Sequence, residues 1–115
     1  MTCDVIVVGA GPTGSCAAYE LASSGLDVTI VDAETFPREK CCAGWLNAEA
    51  CHAHAFIDRA RKDAGAAPFR HMVFHAEDFS EKAAHSSRSH LGYVVDRATL
   101  DYHLLQEAEG AGAVD

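Results

Sequence analysis

Positive charge is scarce in this 115-residue chain: nine Lys and Arg stand against 17 Asp and Glu, a formal net charge of −8. A sequence-independent grip on nucleic acid needs clustered cations, and docking on anionic lipid needs a polybasic patch. The composition argues against both. The shortage is steepest at the start, where Asp4, Glu20, Asp27, Asp32 and Glu34 all precede the first cation, Arg38. Long apolar runs are lacking too. The run Val5–Val8 closes on Gly9, far short of the roughly 18 residues of a membrane span. The basic start and apolar stretch of a secretory signal are missing. These absences predict a cytoplasmic protein with no integral membrane segment.

The five cysteines, Cys3, Cys16, Cys41, Cys42 and Cys51, are an odd count without a disulfide framework and read as reduced thiols. They do not make a metal site. Adjacent Cys41 and Cys42 cannot readily aim both sulfurs at one tetrahedral ion, and His52 and His54 face apart on a helix. The scattered His71, His75, His85, His90 and His103 read as surface groups. No G-x-S-x-G context supports a serine nucleophile, and there is no internal repeat or low-complexity tract.

What is present is a globular composition, 49% hydrophobic and 23% charged, in a length that suits one domain at most. Residues 4–8 (DVIVV) are an apolar run led by an acid, which predicts a strand buried on both faces. Gly9-Ala10-Gly11-Pro12-Thr13-Gly14 follows. Residues 15–24 place Ala17, Ala18, Leu21 and Ala22 on one helical stripe, ended by Gly25. Residues 27–32 (DVTIVD) are a second apolar strand. Strand, glycine turn, helix and strand make one βαβ unit over 3–32, with parallel strands and a right-handed crossover.

Beyond it the pattern predicts an irregular stretch from Phe36 to Gly44 and one helix over 47–63 with Asn47 as N-cap. A strand follows over 69–76, with Met72 and Phe74 on one face. Residues 78–90 read as a loop or open hairpin, 92–96 (GYVVD) as a strand and 98–109 as an amphipathic helix. Residues 111–115 look like the turn after that helix and the first step of a new strand. The chain is therefore expected to be the N-terminal portion of a longer protein. The fold class expected is α/β, a Rossmann-like FAD/NAD(P)-binding fold with a parallel sheet.

Each glycine of the turn has its own task. Gly9 allows the bend off the strand, Gly11 leaves its backbone open to a pyrophosphate, and Gly14 lets the helix pack close to the strand. The helix N-terminus offers unpaired N–H groups and about half a positive charge to phosphates. Pro12 suits the first helical turn, where a missing N–H costs little. Thr13 completes the turn and Ala33 follows the strand-end acid. Asp32 ends the second strand at the distance, about 20 residues on, at which a carboxylate takes the adenosine ribose. Its charge disfavours the 2′-phosphate of NADP. FAD and NAD both fit the fingerprint, and a turn that serves packing alone is the alternative.

Three segments together resemble the geranylgeranyl-reductase-like flavoproteins, a branch of the group containing p-hydroxybenzoate hydroxylase. They are DVIVVGAGPTGSCAAYELASSGLDVTIVD (4–32), FPREKCCAGWL (36–46) and GYVVDRATLDYHLLQEAEGAGA (92–113). The resemblance implies FAD, with its ADP half on the Gly9–Gly14 turn and Asp32. It implies that Arg38 lies near the FAD, where its guanidinium could offset phosphate charge. Lys40 and Cys42 match the family's Lys and Cys. Ala43 and Gly44 follow near the flavin, although the family often has Gly where Ala43 stands. Arg97 matches an Arg beside the FAD. The resemblance further implies reduction of FAD by NAD(P)H and a small-molecule substrate of isoprenoid or other apolar type. Hydroxylase (monooxygenase) or halogenase chemistry is the alternative, and a non-catalytic NAD-binding module a second. The blander readings are a solvated cluster at Arg38 and Lys40, a surface pair of Arg97 with Asp96 or Asp101, and Cys42 as a small buried residue. Cys3 and Cys16 read as core, and Trp45 and Leu46 as either core or a wall near the flavin ring. No residue is assigned as a catalytic acid or base.

Overall fold

A short apolar run closed by glycine reaches low free energy when it pairs its backbone and buries one face under a helix. In the computed structural model, which describes residues 2–114, the first segment does this. Strand β1 (Val5–Val8) and strand β2 (Val28–Val31) pair in parallel, Val5 opposite Val28 and Val8 opposite Val31. Helix α1 (Pro12–Ser23) crosses between them. It starts three residues earlier than the apolar stripe suggests. Gly11 is an extended N-cap and Pro12 the first helical residue, so the fingerprint itself forms the first turn. Ser24 and Gly25 end the helix, the glycine at φ +88°.

The chain then runs without regular structure to β3 (Trp45–Asn47), α2 (Ala48–Ala53), α3 (Ala55–Asp63) and β4 (Ala67–Phe69). A hairpin of β5 (His71–His75) and β6 (Lys82–Ser86) leads to β7 (Gly92–Val94) and α4 (Arg97–Gly110). Strands β3, β7 and β4 form an antiparallel sheet with β7 in the centre. Pro68 sits on an edge strand, the place in a sheet that tolerates a missing N–H.

Four expectations need correction. The predicted 47–63 helix is two helices, because His54 leaves helical geometry at φ −132°, ψ 109°. The break lets α2 pack Ala48 and Cys51 on Tyr93 while α3 turns Phe56 and Ala60 onto Val95, Leu100 and Leu104. The predicted 69–76 strand divides at Arg70, so Phe69 and His71 belong to different sheets. β1 is buried on one face only. Val28 and Ile30, with Val5 and Val7, face Ala18, Ala22, Leu105 and Ala108 from α1 and α4. Val8 on the other face is 82% exposed, with no described element over it. Cys3 lies outside the strand, and both Cys3 and Cys16 are half-buried rather than core.

Asn47 caps α2 as expected, its Oδ1 accepting from the Glu49 N–H at 2.8 Å. The expected new strand begins on the far side of β2. Val114 bridges Thr29 in parallel, donating to the Val28 carbonyl at 2.9 Å and accepting from the Ile30 N–H at 2.8 Å. Asp115 lies outside the described residues. The parallel sheet, its crossover helix and the α4 layer are the Rossmann-like α/β architecture.

Candidate functional site: the glycine turn and its arginine clamp

The carboxyl ends of parallel strands are where an open α/β sheet leaves a crevice. Here Val8, Gly9, Val31, Asp32 and Ala33 line an open groove of about 410 Å³. Gly9 bends the chain at φ +98°, and its N–H donates to the Val31 carbonyl at 2.7 Å. At Gly14 a Cβ would lie 1.7 Å from the Gly9 carbonyl oxygen, so a hydrogen is all that the helix–strand contact admits. Buried Ser15 donates from Oγ to the Ala10 carbonyl at 2.9 Å and pins the turn from below. No side chain caps the N-terminus of α1.

Asp32 turns back onto the glycine turn rather than into bulk water. Its Oδ2 accepts from the Ala10 N–H at 2.7 Å and its Oδ1 from the Glu34 N–H at 2.9 Å. These backbone donors, Glu34 first and then Ala10, hold its carboxyl below the usual aspartate value, with a further contribution from the Arg38 charge. Pro12 is half-buried while Thr13 and Ala33 are exposed at the same corner.

Arg38 reaches this corner from the irregular loop. Its Nη2 lies 3.6 Å from where a Gly11 Cβ would be, and its guanidinium carbon sits 4.6 Å from the Phe36 ring centroid. Its Nη1 donates to Asp101 Oδ2 at 2.8 Å. Arg97 approaches the same carboxylate from the other side, Nε to Oδ1 at 2.7 Å and Nη2 to Oδ2 at 3.0 Å. Asp101 is 0% exposed. Two guanidinium charges around one carboxylate leave one positive charge beside the turn. The reading of Arg97 as a surface pair is corrected here: its partner is a buried anion, and the interaction is bidentate. The solvated-cluster reading of Arg38 also fails, since only 15% of its side chain is exposed.

The loop of Lys40, Cys42, Ala43 and Gly44 lies at the other end of the clamp. Gly44 has φ +73°, and a Cβ there would lie 2.5 Å from the Val95 carbonyl oxygen. The Val95 N–H donates to the Gly44 carbonyl at 2.9 Å, so the loop is laid directly on the end of β7. Cys42 is exposed, not the small buried residue of the blander reading. Its thiol is lowered by the Gly44 N–H, which approaches the sulfur at 3.4 Å, and then by Arg97. Lys40 and Ala43 are exposed on the same loop. Trp45 is 53% exposed, while Leu46 packs against the α2 and α3 clusters.

The structure thus brings Gly9, Gly11, Pro12, Thr13, Gly14, Asp32, Ala33 and Arg38 to one corner. It joins Arg97 to them through Asp101, while Cys42 and Gly44 are held to each other and to the end of β7. Among the described residues, no group of three or more His, Cys, Asp or Glu converges as a metal site. Asp101 is the residue that sequence reasoning underrated. Its signal was its position four residues after Arg97 on a helix, the spacing that brings the two side chains together.

Comparison with known proteins bears on the family and the fold. The FAD dependent oxidoreductase (DAO) family model matches residues 4–112. The digeranylgeranylglycerophospholipid reductase of Methanosarcina mazei is 34% identical over 113 residues, 96% of this chain and 27% of its own. The menaquinone reductase of Mycolicibacterium smegmatis is 55% identical over 47 residues, 41% of this chain and 12% of its own. A geranylgeranyl bacteriochlorophyll reductase-like protein from Thermoplasma acidophilum superposes with a TM-score of 0.77 at 25% identity, over 97% of this chain and 29% of that one. The chain therefore spans between about a quarter and a third of the length of its full-coverage relatives. By the family match and by its fold, the chain belongs to the FAD-dependent oxidoreductases and is similar to their geranylgeranyl-reductase-like members.

Proposed function

We propose that this chain supplies the dinucleotide-binding portion of a flavoprotein reductase that acts on an isoprenoid-type alkene. The observation that carries the reading is the meeting of an uncapped helix N-terminus, a strand-end carboxylate and a guanidinium at one glycine turn. The residues fit FAD. A Cβ at Gly9 would meet nothing within 4 Å, so the turn is open on its outer side. The groove beside it runs along the strand ends to Asp32 and Ala33. In this reading the N–H groups of Gly11, Thr13 and Gly14 with Arg38 hold the diphosphate, and Asp32 accepts from the ribose hydroxyls. Pro12, Thr13 and Ala33 border the same nucleotide, and Lys40, Cys42, Ala43, Gly44 and Arg97 line the flavin side.

When bound, FAD supplies the transfer of hydride from NAD(P)H to the substrate. The chain's own contribution is binding and orientation. The substrate class is supported by relatives named for lipid and quinone reduction, 34% identical over 113 residues and 55% identical over 47. A second reading, flavin-dependent halogenation, is favoured by the myxobacterial chondrochloren halogenase, which superposes with a TM-score of 0.75 at 28% identity. No helix among the described residues is long and apolar enough to cross a membrane, and the reading places the protein in the cytoplasm.

Fluorescence titration tests the assignment. The expected result is saturable FAD quenching at one flavin per chain, with no competition from NADP. Binding of NAD without FAD would instead identify a non-catalytic module. The 115-residue chain by itself is expected to give no steady NAD(P)H oxidation above that of free FAD.

A further inference from the structure

Burying a carboxylate is costly unless charge-assisted hydrogen bonds replace its water. Asp101 is fully buried, and it is spanned by two arginines that arrive from different parts of the chain. Arg97 lies one turn earlier on α4, whereas Arg38 comes from the loop after β2. The apolar side of α4 is buried separately, by Leu100, Leu104, Leu105 and Ala108. What the carboxylate does decide is where the two guanidiniums stand.

Arg38 is held on two sides, by Asp101 Oδ2 at Nη1 and by the Phe36 ring, and its Nη2 stands beside Gly11, 3.6 Å from where a Cβ would be. Its planar fork is thereby aimed at the place where a diphosphate would pass the turn. Arg97 takes both oxygens of the same carboxylate, Nε on Oδ1 and Nη2 on Oδ2. One buried carboxylate therefore sets the place of both guanidiniums.

We propose that Asp101 is a positioning residue for the dinucleotide. Its carboxylate fixes Arg38 against the glycine turn, with Arg97 held by the same two oxygens. This rests on the FAD-binding reading above. Without the carboxylate the two like charges repel, Arg38 leaves the turn, and the entropy of fixing its long side chain falls on the binding step.

The test is FAD affinity by fluorescence quenching, with ADP as a flavin-free probe. Asp101→Asn is expected to weaken both ligands about tenfold or more, the size of a lost hydrogen bond between charged groups. Arg38→Gln should weaken them comparably. The double variant should be no weaker than Arg38→Gln alone, because Asp101 acts on the diphosphate through Arg38. A residue that merely stabilised α4 would instead give additive losses. If Asp101→Asn melts below the assay temperature, Arg38→Lys decides. Its ammonium keeps the charge but cannot touch the carboxylate and the turn together, so the expected loss is again about tenfold. Wild-type affinity in Arg38→Lys, or strict additivity in the double variant, would overturn the proposal and leave the FAD reading standing. A wild-type chain that binds neither FAD nor ADP would overturn the FAD reading itself.

Discussion

The parallel corner and the antiparallel portion of this molecule are built on different terms. At the corner, β1, α1 and β2 are consecutive, and one small cluster of Ala, Val and Ile side chains closes them. Backbone approaches there are so close that single atoms decide them, as at Gly14. In the antiparallel portion, the three strands of the β3–β7–β4 sheet are three residues long and lie far apart in the chain. The β5–β6 hairpin carries Val73, Phe74 and Phe79 largely in water. Tight local packing makes the first region intolerant of change, and open hairpin packing makes part of the second permissive.

The largest predicted effect follows from that contrast. Gly14→Ala should destabilise the chain by about 3 kcal/mol or more in a denaturant melt. Alanine is worth up to about 1 kcal/mol more than glycine inside a helix. That gain is overwhelmed when the added carbon would lie 1.7 Å from the Gly9 carbonyl oxygen. A variant as stable as the wild type would show that the helix and strand can part without cost.

Next comes Gly92→Ala in the central strand of the antiparallel sheet. The new carbon would meet Trp45 Nε1 at 2.5 Å and the Leu46 carbonyl oxygen at 2.6 Å. The indole can swing away but the backbone cannot, so a loss of about 2 kcal/mol is expected, with a red-shifted Trp45 emission as the ring gains exposure. An unchanged emission and melt would make this sheet as permissive as the hairpin.

Acid gives a smaller effect, located at the corner. The folded Asp32 carboxyl lies below its free value of 3.8. Its contribution is therefore fully present above that value and is lost as pH falls through the folded one. Asp32→Asn should flatten the melting temperature against pH below about pH 4. The smallest effect is expected on the hairpin. Phe74→Thr should change stability by less than about 0.5 kcal/mol, because the ring is already 55% exposed.

The βαβ unit was legible because each of its signals is local. The apolar runs, the glycine spacing and the strand-end acid all act within about thirty residues, the length of one such unit. The helix start shifted to Pro12 because the turn residues themselves enter the helix, which an apolar stripe does not register. β3 and β4 went unseen because three residues carry too little pattern, and their pairing partner, β7, is distant in the chain. The break at His54 was hidden for a related reason. The residues on either side remain good helix formers, and only the separate directions of their packing partners divide them.

Order along the chain was enough to determine a glycine turn between parallel strands and the acid that follows it, since both rest on backbone conformation and short-range spacing. The resemblance of three segments pointed to the flavin family on the same local terms. Tertiary structure alone decided that Arg38 and Arg97 share the buried carboxylate of Asp101 and that Cys42 stands exposed beside them. The physical reason is burial. Charge pairing of this kind depends on what excludes water from Asp101, and that is settled by α4 and the 36–44 loop coming together, not by the identity of any one residue.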